Sequence, residues 1–241
     1  IRGGAPGGKS LIEYAIETGA VAWSGGERQS SYATPVLTTV AGVRQIVCVN
    51  EDWVTAHDAS DGTVLWEHPW PGNSGANASC SNPIPVHDDR ILLCKGYNIR
   101  AELLQIRRAK DGQFSVKIIW RKPVMRTKMT NAVLLGDYVY GLDGGILECI
   151  ELNTGNKMWK KGRFGHGQVL AIGNLLLVTA ERTGDVALIE ATPDAFQLHG
   201  QFKALDGGGK VWNYPALAGK YLLVRNAEEA ACYELPVRKL Q

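Results

Sequence analysis

The chain has 241 residues, with 26 lysines and arginines against 24 acidic residues and a formal net charge of +2. That length accommodates one or two ordinary domains or one larger repeat array. The near balance of charge, with no run of one sign, excludes a dedicated nucleic-acid surface and a polybasic membrane anchor, and no apolar run is long enough to span a bilayer.

The first ten residues are glycine-rich. Gly3 to Ser10 matches the written P-loop pattern, ending Gly8-Lys9-Ser10. A phosphate-cradling loop must follow a strand and open a helix. Here almost nothing precedes the pattern, and Leu11 to Gly19 alternates like a strand. The expectation is a loop between strands and no nucleotide site.

A repeated hairpin then begins. Leu11 to Trp23 contains Thr18-Gly19, and the tryptophan follows the glycine by four residues; Val54 to Trp66 repeats this with Asp61-Gly62, and Ile146 to Trp159 with Thr154-Gly155. Leu103 to Trp120 carries Asp111-Gly112 with four residues inserted before its tryptophan, and an eroded copy from Val186 to Phe202 has Phe202 in the tryptophan's place. Each copy is an alternating strand, a turn with glycine at a left-handed position and a second strand. A lone hairpin is marginal, so the copies must stack. Trp23, Trp66, Trp120, Trp159 and Phe202 are therefore expected to dock structurally between repeats, burying apolar area while each indole N–H reaches an acceptor.

A second unit recurs between the hairpins. Tyr32-Ala-Thr34-Pro35, Cys80-Ser-Asn82-Pro83, Met129-Thr-Asn131-Ala132, His166-Gly-Gln168-Val169 and Trp212-Asn-Tyr214-Pro215 each open a short strand that leads to a strongly apolar one. With the hairpin this makes four strands in roughly 40 residues, the period of a β-propeller blade. Pro35, Pro83 and Pro215 recur at one place in the first strand, which must then be an edge, since proline cannot donate to a ladder. No stretch sustains a helical period. The fold class is all-β, a propeller of four-stranded antiparallel blades with about five blades present, residues 1–241 forming one propeller domain or its C-terminal portion. The chain opens on the outer hairpin of a blade and closes on three strands, Asn213 to Leu235. Either the ends complete one another in a ring of five, or the chain belongs to a larger ring; the mid-blade opening favours the larger ring.

The five cysteines have no metal spacing. Cys48, Cys94, Cys149 and Cys232 sit in apolar strand patterns and read as buried thiols. His57 and His68, in or beside an outer hairpin, read as surface or capping residues. The candidate ligand-binding residues lie where the first strands begin: Asn82, Asn131, His166, Gln168, Trp212 and Tyr214, with Arg126 and Lys128 adding positive charge just ahead of one strand. They form a polar, partly aromatic funnel suited to an anionic small molecule, a sugar or a peptide. His166, between Gly165 and Gly167, is the leading single candidate. No catalytic triad or metal-ligand spacing is recognisable, so no catalytic and no metal residue is assigned.

The repeat, with Asp58-Ala-x-Asp61-Gly62-x-x-x-Trp66 as its best copy, resembles that of the PQQ-repeat (quinoprotein alcohol dehydrogenase-like) β-propeller family, and the resemblance covers Leu11 to Leu235. It implies about seven or eight blades in a complete member and an exported, periplasmic bacterial protein. Members include dehydrogenases that hold pyrroloquinoline quinone (PQQ) and Ca²⁺, and cofactor-free relatives such as the propeller scaffold of bacterial outer-membrane protein assembly. The dehydrogenases stack PQQ on a disulfide of adjacent cysteines and bring carboxylates to the metal and the quinone. No two cysteines here are adjacent, and Thr34, Asn82, Asn131, Gln168 and Tyr214 include no carboxylate. The expectation is a non-catalytic, exported scaffold or ligand-binding propeller without cofactor, whose partner is a protein or a small polar ligand. The alternative is a PQQ- and Ca²⁺-dependent dehydrogenase with part of its active site outside this chain.

Overall fold

The computed structural model describes residues 2–5, 9–71, 78–206 and 209–236. Among them every regular element is a β-strand, and the chain separates into two compact units, Ile1–Arg126 and Thr127–Gln241.

The first unit holds three antiparallel sheets. β1 (Arg2–Ala5), β2 (Lys9–Tyr14) and β3 (Val21–Gly25) form the first. The second is β4 (Val36–Val40), β5 (Val43–Val49), β6 (Trp53–Asp58) and β7 (Val64–Pro69); the third is β8 (Ile84–Val86), β9 (Arg90–Lys95), β10 (Arg100–Arg108) and β11 (Phe114–Lys122). The second unit continues with β12 (Val133–Leu135), β13 (Tyr138–Asp143), β14 (Ile146–Glu151) and β15 (Lys157–Arg163), then β16 (Gln168–Ile172), β17 (Leu175–Thr179), β18 (Asp185–Glu190) and β19 (Leu198–Lys203). It ends with the three-stranded sheet β20 (Ala216–Ala218), β21 (Tyr221–Arg225) and β22 (Ala230–Glu234). In every sheet the strands pair in chain order, the meander of a propeller blade. Among the described residues, four four-stranded sheets thus follow one three-stranded sheet and precede another in chain order.

Several expectations are corrected in detail. The first blade is more than an outer hairpin, because Arg2–Ala5 adds a strand to β2. Its glycines carry no side-chain pattern, so only backbone pairing reveals it. Lys9–Tyr14 is a strand where a phosphate-binding loop needs a helix, while Pro6 to Gly8 lie outside the described residues. Pro35, Pro83 and Pro215 stand immediately ahead of β4, β8 and β20 and so take no ladder position at all. Cys232 is exposed, for β22 turns Ala231 and Tyr233 inward and Cys232 outward; Cys48, Cys94 and Cys149 are buried as expected.

The tryptophans mark a constant backbone feature. Each of the first four outer hairpins has a bulge beside its indole: Glu13 pairs with Trp23, Ala56 with Trp66, Leu103 with Trp120 and Cys149 with Trp159, and the register slips at the next pair. In the fifth hairpin the slip follows Leu188 and Gly200. Gly200, not Phe202, therefore occupies the tryptophan's position. Phe202 lies two residues on and stacks edge-on against Tyr233 of the next sheet, with ring centroids 5.0 Å apart.

The cores lie between neighbouring sheets. In the first unit Val47, Val54 and Trp66 pack with Ile91, Leu104 and Ile106; in the second, Tyr140, Leu142 and Cys149 pack with Leu176, Val178 and Ile189. Trp66 donates to Gln45 Oε1 at 2.7 Å and Trp159 to the Thr192 carbonyl at 2.8 Å, whereas the buried Trp23 Nε1 has no acceptor among the described residues. Trp23 instead lies against the turn of the next blade. A Cβ on Gly62, which has φ of +78°, would sit 2.4 Å from Trp23 Cε3. Gly62→Ala should therefore cost about 3 kcal/mol, combining left-handed strain with displacement of the indole. Gly112→Ala, with φ of +88° and only Arg108 Nη2 at 3.8 Å, should cost about 1 kcal/mol from strain alone. Equal costs in urea denaturation would mean that Trp23 does not bear on Gly62.

His57 and His68 are not surface residues. His57 is fully buried: its Nδ1–H donates to the Gly62 carbonyl at 3.0 Å, and Nε2 accepts from Thr55 Oγ1 at 2.9 Å. Burial lowers its pKa, the Gly62 carbonyl and Glu67 opposing only in part, so it holds this turn as the neutral ring. His68 is 6% exposed and bonds Glu102 Oε2 at 2.9 Å.

Candidate functional site

Within each unit, polar residues that open the first strands are tied to one another. In the first unit Asn82 Oδ1 accepts the Thr34 backbone N–H at 2.7 Å. In the second, Gln168 Nε2 donates to the carbonyls of Met129 at 2.8 Å and Trp212 at 2.9 Å, so one buried amide joins the starts of three successive blades. With two carbonyl acceptors fixing the amine, the amide orientation is determined. The Asn131 N–H reaches the Tyr214 hydroxyl across the same set. Of the eight candidates, Asn82 and Arg126 belong to the first unit, and Lys128, Asn131, His166, Gln168, Trp212 and Tyr214 to the second.

The second unit gathers a cluster around a carboxylate that sequence reasoning missed. Glu181 is 6% exposed; its Oε2 accepts the His166 backbone N–H at 3.0 Å and its Oε1 accepts Trp212 Nε1 at 2.8 Å. Burial alone would raise the Glu181 pKa, but those two hydrogen bonds, with His166 and Lys210 nearby, bring it below the ordinary carboxylate value. Burial lowers the His166 pKa; Glu181 opposes this, and Lys128 and Lys210 add to it. At neutral pH the pair is an ionised carboxylate and an uncharged imidazole. Lys210 Nζ lies 4.4 Å from the Trp212 ring, a cation–π contact. His166 Nδ1 and Gln168 Oε1 are buried without a hydrogen-bond partner among the described residues.

Glu181 stands two residues beyond β17, a loop position that strand alternation does not flag. Aligning the repeats would have found it: Glu51 stands two residues beyond β5, and both donate their backbone N–H to the preceding loop, to Gln29 O and Phe164 O respectively. Gly165 is needed beside it, since a Cβ there would lie 2.7 Å from Glu181 Oε2. Next to Glu181 a cleft of about 660 Å³ opens, floored by Phe164 and Phe196 and edged by Arg163 and Arg182. Both arginines are exposed, and neither makes an ion pair among the described residues.

The residues present do not fit PQQ with Ca²⁺. Calcium takes six to eight oxygens, several of them charged. At the first-strand starts of the second unit the carboxylate is Glu181, and both its oxygens already accept protein donors. Gln168 offers one free oxygen, and no three His, Cys, Asp or Glu side chains among the described residues group as a metal site. No helix of the described residues is long and apolar enough to cross a membrane.

Comparison with known proteins agrees with this architecture. BamB from Moraxella catarrhalis superimposes with a TM-score of 0.66 at 16% identity, over 97% of this chain and 68% of that one. The quinohemoprotein alcohol dehydrogenase ADHIIG from Pseudomonas putida HK5 gives 0.61 at 13% identity, over 89% of this chain and 42% of the enzyme. The periplasmic gluconolactonase PpgL of Pseudomonas aeruginosa gives 0.60 at 12% identity, over 89% and 70%. At these identities the likeness is one of fold, which propellers lend to many functions. A search of curated proteins found no match. The family described as outer membrane protein assembly factor BamB matches residues 5–161, well over half of the sequence. The chain belongs to that family, within the PQQ-repeat β-propellers.

Proposed function

We propose that this protein is a non-catalytic propeller that works outside the cytoplasm, in the bacterial periplasm, as a protein-interaction scaffold or ligand-binding module. One observation carries the reading. The polar groups that open the first strands, where a PQQ enzyme needs metal ligands and a general base, bond to neighbouring blades through Gln168 and Glu181. They act as joints between repeats, and both oxygens of Glu181 are engaged by His166 N–H and Trp212 Nε1–H. The family description supports the assembly role, and the cleft edged by Arg163 and Arg182 offers a recognition surface with unpaired cations. Trp23, Trp66, Trp120, Trp159 and Phe202 serve in this reading as inter-blade docking residues that keep the surface rigid.

The test is a titration of the protein with PQQ and Ca²⁺, followed by its melting temperature and the quinone absorbance. A ligand at 100 times its Kd stabilises the native state by about 2.7 kcal/mol, which a melt resolves readily. The expected result is an unchanged midpoint and an unshifted quinone spectrum. A Ca²⁺-dependent rise would replace the scaffold reading with the dehydrogenase one.

A further inference from the structure

The fifth outer hairpin leaves its aromatic place empty. At the bulge position that carries Trp23, Trp66, Trp120 and Trp159 in the other hairpins, it has Gly200, whose added Cβ would meet no atom within 4 Å. Around it lies an apolar slot of about 500 Å³, lined by Leu175, Leu177 and Leu188 of one sheet and Leu217, Leu222 and Leu235 associated with the next. Phe202 also borders the slot but stacks on Tyr233 and does not close it.

The preceding blade shows what such a slot holds. Trp159 lies with its ring 6.1 Å from Tyr140 and 5.9 Å from Phe196, and its Nε1 donates to the carbonyl of Thr192, the second residue after β18. The second residue after β22 is Pro236, which lines the empty slot. The two segments correspond in their hydrogen bonding as well: Ala191 N donates to Asn174 O, and Leu235 N to Lys220 O, each carbonyl belonging to the residue just before the second strand of its sheet. The apolar lining supplies the burial that an indole gains in the other blades, and Pro236 holds the sequence position that Thr192, the acceptor, holds in the preceding pair of sheets.

We propose that the slot at Gly200 is a binding site for a flat, uncharged bicyclic aromatic molecule with an N–H donor, of which indole is the simplest. Its volume lies within the range of small-molecule sites, and Gln201 is its one polar side chain, so a charged ligand gains nothing there. The site is separate from the scaffold reading and does not rest on it.

The experiment titrates indole into the whole chain by calorimetry, beside N-methylindole and the variant Gly200→Trp. Indole is expected to bind saturably at one site, N-methylindole about fivefold more weakly for want of the donor, and the variant at least about tenfold more weakly. Because the built-in ring fills the slot, the variant should also melt about 2–4 °C above the parent. If Gly200→Trp does not fold, Gly200→Leu fills part of the slot and makes the same comparison. No saturable binding up to about 5 mM indole, or wild-type affinity in the filled variant, would overturn the site; equal binding of the two indoles would overturn the hydrogen bond to Pro236.

Discussion

Replacing Glu102 with leucine is expected to destabilise the protein by about 3 kcal/mol, the cost of taking a shared acceptor from two partly exposed guanidinium groups and from the buried His68 ring. Glu102 has no exposed surface; its Oε1 accepts Arg100 Nε and Arg121 Nε, each at 2.6 Å, and its Oε2 pairs with His68. Arg121 is half exposed, so most of the loss comes from Arg100 and from the buried hydrogen bond between His68 Nε2 and Glu102 Oε2. Burial alone would raise the Glu102 pKa, but hydrogen bonds from His68, Arg100 and Arg121 bring it from 4.5 to about 2. A carboxylate depressed on folding contributes stability above its unfolded pKa and loses it as pH falls through the folded one. The window is therefore pH 4.5 down to about 2, over which about 3 kcal/mol should disappear. Urea denaturation against pH measures both: the wild type should weaken steeply in that window and the leucine variant should not. A variant within 1 kcal/mol of wild type, or parallel acid profiles, would show that the cluster contributes little.

Gly167→Ala should cost at least about 3 kcal/mol by forcing two backbones apart. A Cβ there would lie 1.7 Å from the Thr179 carbonyl oxygen and 3.2 Å from Glu181 N, at the pair that begins the β16–β17 ladder. Neither atom belongs to a side chain that could swing away. Glu181 would move with its backbone, and its hydrogen bonds to His166 and Trp212 would go with it. Gly173→Ala is the comparison: φ there is +58° with nothing within 4 Å, so strain alone applies, about 1 kcal/mol. Denaturation measures the two costs, and the fluorescence of the indoles reports the release of Trp212. If the two variants unfold at the same denaturant concentration with unchanged emission, the close approach at Gly167 is not what holds the site.

The four-stranded antiparallel unit and its strand order were legible because they rest on a spacing, four residues from glycine to tryptophan, that three hairpins repeat along the chain. Register was not. A bulge is an event between two strands, and nothing in Leu198 to Phe202 announces that the slip follows Gly200; the aromatic at Phe202 drew the alignment two residues too far. Burial of His57 and His68 was hidden for a related reason. Alternation says which face a residue occupies, while only the packed neighbour says whether that face meets Gly62, Glu102 or water. The site was half legible. His166, Gln168 and Trp212 were found at their strand starts, but Glu181, which joins two of them, sits in a loop where no periodicity operates. The two hydrogen bonds that Gln168 Nε2 donates were not legible, because their acceptors are backbone carbonyls that carry no sequence signature.

The hairpin of β10 and β11 shows where this array takes up extra residues. Its two strands run nine residues each, yet Trp120 still pairs with Leu103 beside the bulge as in the shorter hairpins. The four extra residues lengthen the hairpin toward the Asp111-Gly112 tip, beyond the anchored indole. At the other edge, β12 and β20 have three residues each and their leading segments are stitched together by Gln168 and Tyr214. One margin of the array thus accommodates extra residues beyond an anchored indole, while at the starts of β12, β16 and β20 the other margin is held to a fixed spacing by hydrogen bonds from one sheet to the next.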